Sequence, residues 1–143
     1  MTSPNFGGLR LIVVTIFGSR TLRILIVDPE YLVALEAESL IQQSLVQQAA
    51  GGFCLIAMPR DLPAMLSAET FDVVVIDEDI AQRAENSAAL ARLGMPVVVL
   101  TFHADEPVRS DGRLMVAKPF EDDILIAAVA EAIRRASPPS ETG

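Results

Sequence analysis

Four polar side chains in this sequence stand directly after apolar runs: Asp28 after Leu22–Val27, Asp77 after Val73–Ile76, Thr101 after Val97–Leu100 and Lys118 after Leu114–Ala117. An aspartate in such a place can be a nucleophile, a metal ligand or only the polar end of a strand. Asp28, followed by Pro29 and Glu30, also reads as a helix N-cap with proline at the first helical position. Thr101 also reads as a β-branched strand residue with a satisfied hydroxyl, and Lys118 as a loop lysine. What separates these readings is whether the chain brings the four together.

The elements that must position them follow from the apolar pattern. Val73–Ile76 is four β-branched residues in a row, with no polar face. Such a run suits a strand buried on both sides, in a parallel sheet covered by helices. Leu22–Val27 is the first strand, and an amphipathic helix over about 30–49 follows it. Val33, Ala37, Leu40, Ile41 and Leu45 share one face of that helix, and Gly51-Gly52 stops it. The pattern next predicts a strand over 53–58 and a short helix from Asp61, its expected N-cap. The strand ending at Asp77 comes next, then a helix over about 82–93 closed by Gly94, and a strand over 96–101. Residues 103–112 show no helical period. Leu114–Ala117 is a short fifth strand. The last helix spans about 122–135, with Ile124, Leu125, Ala128, Val129, Ala132 and Ile133 as its apolar stripe.

Composition narrows the class. The 143 residues suit one domain with a real core, and half of them are hydrophobic. The formal net charge is −8 with no Lys/Arg cluster, which argues against nucleic-acid binding. One cysteine and one histidine exclude a His/Cys metal site. Cys54, in an apolar run, reads as a buried thiol in a reducing, cytoplasmic compartment. Residues 1–20 hold an apolar run, Leu11–Phe17, too short to span a bilayer as a helix and lacking the pattern of a signal peptide. It is expected to be an extra edge strand or residues upstream of the domain proper; a strand lent to a partner chain is the functional alternative. No membrane contact is expected.

Strands alternating with helices imply an α/β fold with a doubly wound, five-stranded parallel sheet. Its expected order is the flavodoxin-like 2-1-3-4-5, with the switch point between strands one and three. Asp28 and Asp77 end those two strands, so two carboxylates distant in sequence meet in one crevice.

Ile24-Leu-Ile-Val-Asp28, Asp72-Val-Val-Val-Ile-Asp77, Val97-Val-Val-Leu-Thr101 and Lys118-Pro-Phe120 occur in this order, each at a strand end. The set resembles the CheY-like receiver domain of two-component response regulators, over about residues 21–136, with 137–143 a tail. It is similar to the short single-domain receivers of alphaproteobacteria, in which a loop replaces the fourth helix. The stretch from Thr101 to Lys118 leaves little room for a helix of about two turns at ~1.5 Å per residue.

An aspartate that accepts a phosphoryl group faces an anionic donor. Repulsion has to be cancelled by a divalent cation and a fixed ammonium, and the transferred oxygens need donors aimed at them. The resemblance implies Asp77 as phosphoacceptor, Lys118 as the ammonium and Thr101 as the hydroxyl that follows the phosphoryl group. It implies Mg²⁺ held by Asp28, Asp77 and the backbone carbonyl of Asp79, and a cis peptide before Pro119. It further implies a histidine kinase or phosphotransferase as donor, a downstream protein partner, a possible homodimer and no enzymatic activity of its own.

Three departures stand against that pattern. Pro29 replaces the second carboxylate of an acidic pair, so Mg²⁺ binding is expected to be weak, with Glu30 a candidate substitute at a different angle. Phe102 follows Thr101 where the family has a small residue; its ring is expected to crowd the path to Asp77 and to gate the response of the loop over 103–112. Met115 stands where an aromatic switch residue is usual, and it reads best as a core methionine. Two function classes follow: a phosphoacceptor that signals by protein contact, and a pseudo-receiver acting as adaptor or dimer module without phosphorylation. A flavodoxin-like enzyme would need a phosphate-cradling glycine loop after the first strand, and Asp28-Pro-Glu-Tyr has no glycine.

Overall fold

Leu22–Val27, Gly52–Ile56, Val73–Asp77, Val97–Thr101 and Leu114–Ala117 (β1 to β5) form one sheet, all parallel, in the order β2-β1-β3-β4-β5. The structure, a computed structural model, describes residues 21–47, 49, 51–103 and 112–136. The expectations for residues 1–20 and 137–143, and for the degenerate fourth helix within 104–111, lie outside the described residues. The α/β class and strand order are as the alternation of apolar runs implies.

Side chains alternate across the sheet and build two separate cores. Ile24, Ile26, Val73, Val75, Val98, Leu100 and Val116 pack with helices α1 (Tyr31–Ile41) and α5 (Asp122–Ala136). Leu25, Val27, Val74, Ile76, Val97 and Val99 pack on the other face, under α2 (Leu62–Ala68), α3 (Glu78–Gln82) and α4 (Ala84–Leu93). β3 and β4 are buried at every position, which is why their sequences carry no polar alternation.

Several elements differ from the sequence reading. α1 starts at Tyr31 with Glu30 as N-cap residue and no side-chain cap, so Asp28 does not cap it. Instead Asp28 Oδ1 accepts from the backbone N–H of Glu30, 2.8 Å away. The helix does not run on as α to residue 49. A π-helical turn over Gln42–Val46 follows α1, seating the consecutive Leu45 and Val46 both in the core. Asp61 ends a 3₁₀ turn (Pro59–Asp61) and makes no cap bond. Ile124 is half exposed, and Ile126 and Ala130 take their place in the buried stripe of α5.

Two glycines answer to geometry. Gly94 sits at φ +66° and ends α4, its N–H donating to Leu90 O. Gly52 starts β2 at φ +125°, and a Cβ there would lie 1.9 Å from Leu22 O, so only glycine lets β2 close on β1.

Candidate functional site

The helix after β3 starts at once, because Asp77 is its N-cap. Asp77 Oδ2 accepts from the N–H of Asp79 at 3.0 Å and of Ile80 at 3.3 Å. The helix expected over about 82–93 is α4, and α3 was not anticipated. Arg83, extended at ψ 136°, separates α3 from α4. Across that break the buried Asn86 donates its Nδ2 to Ile80 O at 2.9 Å. Asn86 thus steadies the residue whose own N–H holds the Asp77 carboxylate.

The parallel register sets Val27 beside Ile76, which brings Asp28 next to Asp77 at the C-terminal edge. Lys118 reaches the same place from β5, its backbone N–H donating to Thr101 O at 2.8 Å. The Lys118–Pro119 peptide is cis. Lys118 Nζ donates to Asp77 Oδ1 at 2.7 Å and to Asp28 Oδ2 at 2.9 Å. All three side chains are buried, Asp28 completely and Asp77 with 8% exposed. Burial alone would push the Lys118 ammonium down, but the hydrogen bonds and charges of Asp77 and Asp28 hold it above the ordinary lysine range. A buried pair of carboxylates is tolerable here because an ammonium bridges it.

Thr101 ends β4, buried, and its Oγ1 donates to Glu78 Oε1 at 2.6 Å. It also accepts from the N–H of the exposed His103 at 2.9 Å. Phe102 is 63% exposed, and its ring covers the ammonium, with Lys118 Nζ 4.7 Å from the ring centroid. The expected crowding by Phe102 therefore falls on the lysine. Met115 pairs with Val99, one layer below Thr101, half-buried against the α2–α3–α4 core. Glu30 and Asp79 have exposed side chains; the backbone N–H of Glu30 donates to Asp28 and that of Asp79 to Asp77. Glu78 was missed by the sequence reading. Its place directly after a capping aspartate, on the first turn of α3, was the signal.

Among the described residues no group of three His, Cys, Asp or Glu side chains converges on a point that could hold a metal. Asp28 and Asp77, side by side, nonetheless offer carboxylate oxygens of the kind Mg²⁺ takes. The donor set fits the ion in kind.

Comparison with solved structures decides the fold. The chain superposes on the response regulator PhyR from Brucella abortus with a TM-score of 0.66 at 18% identity, covering 91% of this chain and 54% of that one. The chain has the receiver fold. A response regulator receiver protein from Sinorhizobium medicae matches with a TM-score of 0.62 at 23% identity, over 82% of this chain and 98% of that one. The signal receiver domain of an HD domain-containing protein from Pseudomonas fluorescens matches at 0.63 and 16% identity, over 81% and 97%. The chain thus spans about half of PhyR and nearly the whole of the other two receivers. No family model and no curated protein matches the sequence. No helix among the described residues is long and apolar enough to cross a membrane.

Proposed function

We propose that this chain is a receiver module of a phosphorelay, with Asp77 as phosphoacceptor and a protein partner reading its state. The observation that carries this is the Lys118 ammonium bridging Asp77 and Asp28 at 2.7 and 2.9 Å. A lysine fixed on the acceptor carboxylate is what an incoming phosphoryl group needs, since it offsets anionic repulsion where charge gathers.

In the transfer, an Asp77 carboxylate oxygen bonds to phosphorus as the P–N bond of a phosphohistidine donor breaks. The bonding pair leaves with the imidazole nitrogen, which takes a proton from solvent, and an acyl phosphate remains. Lys118 stays with the acceptor, holding the newly placed oxygens. The Asp79 and Ile80 N–H groups keep the carboxylate oriented through Oδ2. Thr101 supplies the hydroxyl that turns to a phosphoryl oxygen. Mg²⁺, when bound by Asp28, Asp77 and the Asp79 carbonyl, would supply positive charge to the phosphoryl oxygens. The donor is a histidine kinase or a histidine phosphotransferase, and Phe102 gates its approach.

Incubation with acetyl phosphate and excess Mg²⁺ should add one phosphoryl mass, absent in Asp77→Asn. No adduct at saturating donor would favour the second reading, a phosphorylation-independent adaptor or dimer module. That reading rests on Pro29, which removes a metal-binding carboxylate from an otherwise complete site.

A further inference from the structure

We infer that Glu78 competes with the phosphoryl group for Thr101 and so sets the threshold at which this site responds; the inference rests on Asp77 being the acceptor. Thr101 Oγ1 donates to Glu78 Oε1 at 2.6 Å, within the short range of a hydroxyl bonded to a carboxylate. A hydroxyl has one hydrogen to give. The same oxygen accepts from His103 N–H at 2.9 Å, which fixes the hydroxyl from behind. Gln82 Nε2 lies 3.4 Å from Glu78 Oε2, one helical turn on, so the carboxylate is held at both ends. Glu78 opens α3, the helix that Asp77 itself caps.

These contacts give Thr101 at rest what an acyl phosphate on Asp77 would later offer, an anionic oxygen. A phosphoryl oxygen can take the Thr101 hydrogen only by displacing Glu78. The arriving negative charge must also be accepted beside the Glu78 carboxylate. Both effects act against the modified state. Glu78 therefore holds the chain in its resting form, acting through Thr101 as a positioning residue without touching the reacting atoms.

The test is a beryllofluoride titration of the full chain in excess Mg²⁺, read by NMR at Thr101 and its neighbours. Glu78→Ala should bind about tenfold more tightly than the wild type, the change expected for freeing one charge-assisted hydrogen bond. Glu78→Gln, which keeps an acceptor oxygen and loses the charge, should fall between them. With Thr101→Ala already in place, Glu78→Ala should gain clearly less, keeping only the relief of the nearby charge. A merely structural role for Glu78 would weaken binding in both backgrounds. Equal affinity of wild type and Glu78→Ala overturns the inference and leaves Asp77 as acceptor. The same gain from Glu78→Ala with and without Thr101 also overturns it, reducing Glu78 to a nearby charge. Absence of binding in the wild type and in both variants overturns the acceptor reading, and this one with it.

Discussion

Phe102 lies over Lys118 with the ring centroid 4.7 Å from the ammonium, so an exposed aromatic side chain covers a buried charge. Replacing it should uncover the ammonium. Phe102→Ala should lose about 0.5–1 kcal/mol of stability, the value of an exposed cation–π contact. It should also react severalfold faster with acetyl phosphate, because a small donor no longer meets the ring. Intact-mass time courses and thermal unfolding check the two halves separately. An unchanged rate would remove Phe102 from the gating role.

Lys118 neutralises one of two buried carboxylates. Lys118→Met should cost about 3–5 kcal/mol near neutral pH, because it leaves Asp28 and Asp77 facing each other unpaired. Adding Asp28→Asn to Lys118→Met should recover part of the stability. Urea unfolding of the three proteins at neutral pH reads the effect. No recovery in the double variant would mean that packing of the lysine stem, not charge, is what matters.

Under the proposed function Pro29 leaves the oxygen set for Mg²⁺ short of a carboxylate. Pro29→Asp should tighten Mg²⁺ on the order of tenfold, since affinity for hard cations follows the charge of the ligand set. Calorimetry or NMR titration measures it. The same affinity in both proteins would show that the missing group is already replaced.

Glu131, on α5, is held at about 2 by the two hydrogen bonds it accepts from Arg134 and a third from Arg135, against an ordinary 4.5. A carboxylate lowered on folding contributes stability above its unfolded pKa and loses it as pH falls. The contribution should be complete above about pH 5 and fade towards pH 2. The pairs are exposed and screened, so Glu131→Gln should cost only about 0.3–0.5 kcal/mol per pair lost near neutral pH. Thermal melts of the two proteins should converge as the pH approaches 2.

Cys54 is buried in β2, and burial, with the nearby Glu38 charge, pushes its thiol up to about 12. The thiolate is the reactive form, so alkylation at neutral pH should track unfolding and not reagent concentration. Rapid labelling of the folded protein would contradict the seating of β2.

The sheet was legible because its buried strands announce themselves. Val73–Ile76 and Val97–Leu100 carry no polar residue, and a parallel sheet is the place for such runs. Asp28, Asp77, Thr101 and Lys118 could be assigned to one edge by topology alone. Helix starts were less legible, since they depend on which atom a side chain finally bonds. Asp28 had the signature of a cap, yet its Oδ1 serves Glu30 N–H while Oδ2 is drawn to Lys118. Asp77 read as the end of a strand and is also the cap of α3. Glu78 was half legible, since its place after Asp77 can be read but its contact cannot. Its partner, Thr101, comes from the next strand over, and no local pattern encodes that meeting.

The two cores lie on opposite faces of the sheet and share no side chains. By strand alternation Asp77 follows the parity of Val73 and Val75, on the α1–α5 side, and Thr101 that of Val97 and Val99, on the other. A group bonded to both residues is therefore a staple across the sheet. It adds a link between the two compartments beside the one that the Asp77 carboxylate already makes to α3. Under the proposed function a phosphoryl group on Asp77 would be felt on either face of the sheet, and a partner would not have to touch the site to sense it.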